Sequence, residues 1–477
     1  MYWCPDRLEW CSHTPLVSSL STIRRRSSDA SSLEDNGCFA LISRRVSVAL
    51  VLTTACFGLL AARTKTSDDP VFKQIDSIVK TLSDITGLAE EHPVPYGRMS
   101  KNQLRHFLTK RIKKTLKPDE IHADELALKM FGLVPQEFNL RKSTIDLLTE
   151  QAAAFYDYDQ KKLFLLDDSS FTSETTTLAH ELSHALADQH FDLGKFVEET
   201  PLNDDENLAH TAVVEGQASW LMIAYDLKQN GQAPVPTPDM LKSVTDSSES
   251  SMAEYPVLKG SPLYIQQSLL FPYTEGTAFF DAVYKKMGKA AFAAVFTDAP
   301  QDAAQIMHPE RYFNHEKPAT PELPKLAFVR EGKEVTEGSV GEFDHELMLR
   351  QYVGEAKASA LSPHLRGGQF KIIAIGKERK PLLEYVSEWD SDEQAANFFS
   401  SYQKILEGKW KHCDVSTSRE TLLAGTGDSG YFVTRRIGNV IASVEGLNDL
   451  DAWERLKALQ PAQSSVKLSF ELQSVKH

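Results

Sequence analysis

Apolar positions recur at three- and four-residue spacing from Val71 to about Thr149. Ile75, Ile78, Val79, Leu82 and Ile85 share one stripe, and Leu104 to Leu116 forms an amphipathic stretch between Gly97 and Pro118. This spacing predicts several short helices. Between Ala152 and Asp168 the period shortens, because AAAFYDYDQKKLFLLDD sets aromatic and aliphatic residues on both sides of the polar run Asp157 to Lys162. That pattern predicts a β-hairpin. Helical periodicity returns at about Thr172 to Phe191 and again at Asp204 to Gln229. The second helix is opened by Asn203 with Glu206 three residues on and closed by Asn230-Gly231. Residues 232–262 are rich in Pro and Ser and read as loop, Glu275 to Met287 reads as helix, and Pro318, Pro321 and Pro324 mark a linker.

After Gly367-Gly368 the order becomes strand (Leu382 to Trp389), helix (Asp392 to Glu407) and two strands turning at Gly438-Asn439. The fold class expected is α+β. A mainly helical body over 71–330 carries a short hairpin or small sheet, 331–364 is a helical linker, and 365–477 is a small separate α+β domain. No repeat of 20 to 50 residues is visible.

Residues 46–62, VSVALVLTTACFGLLAA, are uncharged, led by Arg44-Arg45 and followed by Arg63 and Lys65. They read as an export signal, with an uncleaved membrane anchor and a buried core helix as the alternatives. The Ser-rich residues 1–45 read as a disordered extension or as the product of a start codon set too far upstream. The expected location is therefore the cell envelope, outside the cytoplasm: anchored, periplasmic or secreted.

Charge narrows the partners. The chain has 477 residues with 52 Lys+Arg against 66 Asp+Glu, and its first 65 residues hold 8 basic and 5 acidic side chains, leaving −17 on the rest. A field of that sign repels phosphate backbones, so no nucleic-acid partner is expected. Lys101 to Lys117, with seven Lys or Arg and no acid, is the one local exception; it reads as a solvated helix face, with a nucleic-acid or lipid contact as the alternative. Four of the five cysteines precede residue 57, so the body can form no internal disulfide and no thiolate metal cluster.

The chemistry concentrates in His180-Glu181-Leu182-Ser183-His184, an HExxH motif. On a helix, four-residue separation puts both imidazoles on one face about a turn apart, where they can share one Zn²⁺, and Glu181 is left free to act as a base. Leu178, Leu182 and Ala185 lie on the opposite face, which predicts a helix buried on both sides. A catalytic zinc site needs a third protein ligand. Glu215, in the apolar small-residue stretch TAVVEGQAS, is the leading choice, because a metal would remove the cost of burying its charge. His190 has the spacing of the HExxHxxGxxH pattern but follows Ala187 where that pattern has a turn-forming glycine, and Asp188 is a further alternative. His308 and Tyr273 are the downstream candidates for stabilising an oxyanion. Leu163 to Leu166 is either a substrate-pairing edge strand or a core strand, and His345-Glu346, lacking a second histidine, reads as helix surface.

HELSHALADQHFDL, VEGQAS, QAAAFYDYDQKKLFLLD, SLLFPYTEG and IMHPERYF resemble a group of bacterial exported proteins with a gluzincin-type zinc metallopeptidase domain, over roughly residues 125–315. The resemblance implies a zincin-like fold with His180, His184 and Glu215 as metal ligands and Glu181 as general base. One position departs: thermolysin-type gluzincins carry an Asp four residues after the third ligand, and here it is Ser219. The leading expectation is a zinc-dependent metallopeptidase acting on peptide or protein substrates. A catalytically quiet zincin-like binding or scaffold protein is the alternative, and a zinc amidase of cell-wall peptides a third. Oligomeric state is not written in the sequence.

Overall fold

In the computed structural model, residues 72–115, 117–167, 171–198, 204–251, 255–324, 326 and 332–458 are described. The expectations for residues 1–62 and for Asn203 lie outside them. Four helices open the body: α1 (Ile75–Thr86), α2 (Lys101–Thr115), α3 (Pro118–Phe131) and α4 (Leu140–Gln151), with strand β1 (Tyr96–Met99) between the first two. The hairpin β2 (Ala154–Asp157) and β3 (Lys162–Leu166) follows, then α5 (Phe171–Phe191), α6 (Leu193–Glu198) and α7 (Asp204–Gln229). The helices α8 (Pro238–Ser251), α9 (Pro256–Lys259), α10 (Leu263–Met287), α11 (Ala291–Thr297), α12 (Ala303–Met307) and α13 (Pro309–Phe313) complete this half. The remainder is β4 (Lys333–Ser339), α14 (Glu342–Tyr352), α15 (Glu355–Leu361), β5 (Leu365–Ile375), β6 (Lys380–Trp389) and α16 (Asp392–Lys409). Strands β7 (Asp414–Arg419), β8 (Leu422–Gly427), β9 (Gly430–Ile437) and β10 (Val440–Leu447), then α17 (Leu450–Ala458), end it. The fold class is α+β, and no helix among the described residues is long and apolar enough to cross a membrane.

The hairpin forms with Phe155 opposite Phe164 and Tyr156 opposite Leu163. A strand the periodicity did not reveal, β1, joins β3 in parallel, so the small sheet runs β1-β3-β2. Leu163 to Leu166 is thus the central strand and β2 the edge, a correction to the edge-strand reading. Four residues of β1 are too few to show a period.

Helix α5 lies against α1, α7 and the hairpin, with Leu178, Leu182 and Ala185 fully buried on the side the pattern marked as core. Helices α7 and α10 cross in backbone contact. A Cβ placed on Gly216 would lie 2.1 Å from the Gly276 carbonyl carbon, and one on Gly276 would lie 2.3 Å from the Ala212 oxygen.

Helix α2 buries Leu104, Leu108 and Ile112 and exposes Lys101, Arg105, Lys110 and Lys113, the amphipathic division expected of it. Arg111 is the exception: it is buried with its guanidinium 3.7 Å from the buried Asp157.

Four further expectations are corrected. Residues 232–262 hold two helices, because Pro238 fits the first turn of α8, where no amide hydrogen bond is lost, and Thr237 caps it from outside. Helix α10 starts twelve residues earlier than read, continuing through Pro272. The segment 331–364 is not only helical, since β4 adds to the edge of a seven-stranded antiparallel sheet ordered β4-β5-β6-β10-β9-β8-β7. Its charges disguise it: Glu334 and Glu337 both pair with Lys371 of β5, as suits an edge strand. The C-terminal half is also not separate, because one continuous apolar cluster runs from Ile75 of α1 through Phe131 of α3 to Phe370, Tyr385 and Ile441 of the large sheet.

The last correction concerns His345, which is fully buried in α14 rather than on a helix surface. Its Nδ1–H donates to the Gly341 carbonyl, its Nε2 accepts from the Tyr385 hydroxyl, and Trp389 and Phe398 pack against the ring. Burial pushes the imidazole down to about 4. An unfolded histidine titrates near ~6.5. Below that pH the unfolded chain takes up a proton that the fold refuses, so the contribution is complete above about pH 6.5 and lost as pH falls toward about 4, by roughly 3 kcal/mol in all. Urea unfolding of wild type and His345→Gln across this window should show the wild type losing more stability on acidification. A pH-independent difference between the two would refute the assignment.

Candidate functional site

The sequence builds the site on two adjoining helices. On α5 the i, i+4 spacing stacks His180 over His184, and their rings stand perpendicular with centroids 4.7 Å apart. Helix α7 adds Glu215 from the other side, and the next residue, Gly216, sets α7 against the backbone of α10. His180 Nε2 lies 3.1 Å from Glu215 Oε2, His184 Nε2 lies 3.3 Å from the same oxygen, and the two Nε2 atoms are 3.1 Å apart. No other group of three His, Cys, Asp or Glu side chains among the described residues converges in this way.

Tetrahedral sites with metal–ligand bonds of about 2.0–2.1 Å place their donor atoms roughly 3.3–3.4 Å apart. The three atoms of this triangle have that spacing to within a few tenths of an ångström. The donor set is equally suited, two imidazole nitrogens and one carboxylate in a largely buried setting, where convergence of lone pairs is costly unless a cation is shared. The site can therefore hold a divalent metal. Burial raises the Glu215 carboxyl, but the charge of His184 and the hydrogen bonds of both imidazoles outweigh it and hold the group below the ordinary carboxylate range.

Glu181 belongs to the same turn of α5 but is not part of the triangle. Its Oε2 accepts the Tyr156 backbone N–H at 2.8 Å, so one N–H of the β2 edge is spent on this carboxylate. Burial pushes the Glu181 carboxyl up to about 7, with His180 pulling it down and the Glu215 charge adding to the rise. A carboxylate near neutrality that accepts one hydrogen bond has the properties of a general base at physiological pH.

Two phenols flank the triangle. The Tyr273 ring stacks on His180 with centroids 6.1 Å apart, and its hydroxyl hydrogen-bonds Glu215. The Tyr158 ring meets His184 edge-on. Burial, then the charges of Glu215 and Glu181, hold both phenols well above their ordinary range, which keeps them proton donors. A cleft of about 400 Å³ opens over the group, walled by β2, α4, α5, α7 and α10, with Ser219, Met222, Leu258 and Leu269 on its surface and no lysine or arginine.

The remaining sequence candidates lie elsewhere. Helix α5 continues unbroken through Ala187, and His190 turns its Nε2 to the Ala89 carbonyl at 2.7 Å. Both oxygens of Asp188 are taken by hydrogen bonds outside the triangle. His308 is held by Glu342, Nε2 to Oε1 at 2.7 Å, which raises its imidazole above the ordinary value, and it is not on the cleft wall. The site residues that sequence reasoning missed are Tyr156 and Tyr158. Their signal was the FYDYD alternation, which sends two aromatic side chains two residues apart to one side of the strand.

Comparison with protein-family models, curated proteins and solved structures gives no match to this chain.

The glycine crossing that packs α7 against α10 can be tested directly. Gly276→Ala should lower stability by about 2–4 kcal/mol, because the atom met is backbone and cannot swing aside. A melting temperature within about 2 °C of wild type would show that the crossing is looser than its contacts.

Proposed function

We propose that the chain is a zinc-dependent metallopeptidase that hydrolyses peptide bonds in the cell envelope or outside the cell. The observation that carries this reading is a His-His-Glu triangle of metal-ligand dimensions with a separate carboxylate, Glu181, beside it at the floor of an open cleft. His180, His184 and Glu215 would hold the ion in the zincin-like manner expected from HExxH and the downstream glutamate. Bound zinc would supply Lewis acidity to a water and to a peptide carbonyl, bringing the acidity of the water into the neutral range.

The other work falls to the chain itself. Glu181 takes the proton from the attacking water, with the Tyr156 N–H fixing Oε2 and leaving Oε1 to move the proton, and then delivers it to the leaving amine. Tyr158 is the hydroxyl donor on the cleft wall that can meet the negative charge developing on the carbonyl oxygen, whereas the hydroxyl of Tyr273, the other candidate, is engaged with Glu215. Strand β2 is the sheet edge bordering the cleft, which suits pairing with an extended peptide. Location in the envelope rests on the basic-flanked apolar run at 46–62.

One observation favours the quiet scaffold reading. Ser219 stands where gluzincins of the thermolysin type carry an orienting aspartate, and it is buried on the cleft wall.

Glu181→Gln separates the two readings. It should keep near-stoichiometric zinc and the folded state while peptide cleavage falls by roughly three orders of magnitude or more, because the base is lost and the ligands are not. Unchanged cleavage of a mixed peptide pool would sink the mechanism, and a wild type that binds zinc but cleaves nothing would favour the scaffold. Competition with a chelator tests the ligand set. Glu215→Ala should weaken zinc binding by at least about a hundredfold and His190→Ala by less than about threefold. The reverse order would overturn the assignment of Glu215.

A further inference from the structure

Helix α5 presents two carboxylates to a single tyrosine. Glu181 and Asp188 are seven residues apart, two turns and roughly 10.5 Å of helical rise, so they share a stripe of the helix. Tyr156 reaches both. Its backbone N–H donates to Glu181 Oε2 at 2.8 Å, and its hydroxyl donates to Asp188 Oδ2 at 2.9 Å. The residue therefore lies along α5 as a strut whose length is set by a rigid ring.

The second oxygen of Asp188 anchors what surrounds the strut. Lys161 Nζ donates to Oδ1 at 2.8 Å and the Leu193 N–H at 2.9 Å, and the side chain of Asp188 has no exposed surface. Lys161 ends the hairpin turn with a positive φ of 48°, a conformation that costs a lysine energy and that its ion pair with the buried Asp188 can hold. One carboxylate thus ties β2, the turn before β3 and the start of α6 to the helix that carries HExxH.

We propose that Asp188 is a positioning residue, fixing β2 along α5 through the Tyr156 hydroxyl so that the Tyr156 N–H holds Glu181 in register for proton transfer. The role assigned to Glu181 rests on the peptidase reading, whereas the strut itself does not. Displacing the strand by about 1 Å would take the 2.8 Å contact out of hydrogen-bonding range, and misplacement of that size costs about a hundredfold in rate. Neither Asp188 nor the Tyr156 hydroxyl touches the ligand triangle, so the effect falls on the base and not on the metal.

Tyr156→Phe removes one oxygen and keeps the ring, and Asp188→Asn keeps the shape while neutralising the anchor. Both are made in the full chain, loaded with Zn²⁺, and read in four ways. In each variant kcat should fall roughly ten- to hundredfold, with KM and the Zn²⁺ dissociation constant within about threefold of wild type. Amide exchange of residues 152–158 should quicken about tenfold while 204–229 stays as protected as before. Unchanged exchange in Tyr156→Phe overturns the strut, and faster exchange with kcat unmoved overturns its link to Glu181. Zinc affinity falling in step with kcat would make Asp188 a merely structural support. A wild type that cleaves no peptide defeats the peptidase reading alone, and the exchange comparison still decides the strut.

Discussion

A helix buried on both faces must find partners for the polar groups it carries, and α5 is such a helix through its middle. Leu178, Ala179, Leu182 and Ala185 are fully covered on one side, while Glu181 and His184 on the other keep only 9% and 4% of their surface. Unpartnered, groups of this kind cost several kcal/mol each to bury. The surrounding elements meet that demand one by one: α7 brings Glu215 to the imidazoles, β2 brings a backbone N–H to Glu181, and the hairpin brings Tyr156 and Lys161 to Asp188. Helix α10 then holds α7 in place, and it can do so only where Gly216 and Gly276 let two backbones touch. The cleft is the one side of this arrangement that is left open.

Much of that centre was legible because two independent signals coincided there. The apolar stripe of Leu178, Leu182 and Ala185 defined the buried face of α5, and the two histidines of HExxH lay on the opposite face. For α7, apolar periodicity and small residues framed Glu215, and the hairpin declared itself by its change of period. Elsewhere single signals misled. The Pro- and Ser-rich run holding Pro238 was read as loop and the next helix was begun only at Glu275, although Pro238 opens a helix and Pro272 is carried inside one. The segment holding β4 was read as a helical linker and His345 as helix surface for want of a second histidine, yet β4 is a paired edge strand and His345 is enclosed by aromatic rings. His308 could not be placed from its neighbours in sequence, because the partner that holds it, Glu342, comes thirty-four residues later and from another helix. The tyrosines of FYDYD lost their meaning for a related reason: their role depends on where the hairpin lies against α5, which is a tertiary fact.

The position of Ser219 bears on how the imidazoles are held. A carboxylate beside a ligand histidine orients its ring and raises its basicity. Here the rings are oriented by packing instead: Tyr273 stacks on His180, Tyr158 stands edge-on to His184, and the two imidazoles are perpendicular to each other. Glu181 and Glu215 already place two carboxylates in one buried cleft, and burial, with the Glu215 charge adding to it, outweighs His180 and lifts Glu181 to about 7. A third carboxylate at position 219 would add repulsion and desolvation to both, driving Glu181 further toward its protonated form, which cannot act as a base. Aromatic packing avoids that cost. Under the proposed function it also leaves the histidines less basic as ligands, so the ion would be held less tightly and would remain the stronger Lewis acid toward a carbonyl. Under that proposal, orientation of the imidazoles by rings is compatible with catalysis, and it moves the demand for precise geometry from the histidines to the carboxylate of Glu181, which is the group that the Tyr156 strut would hold.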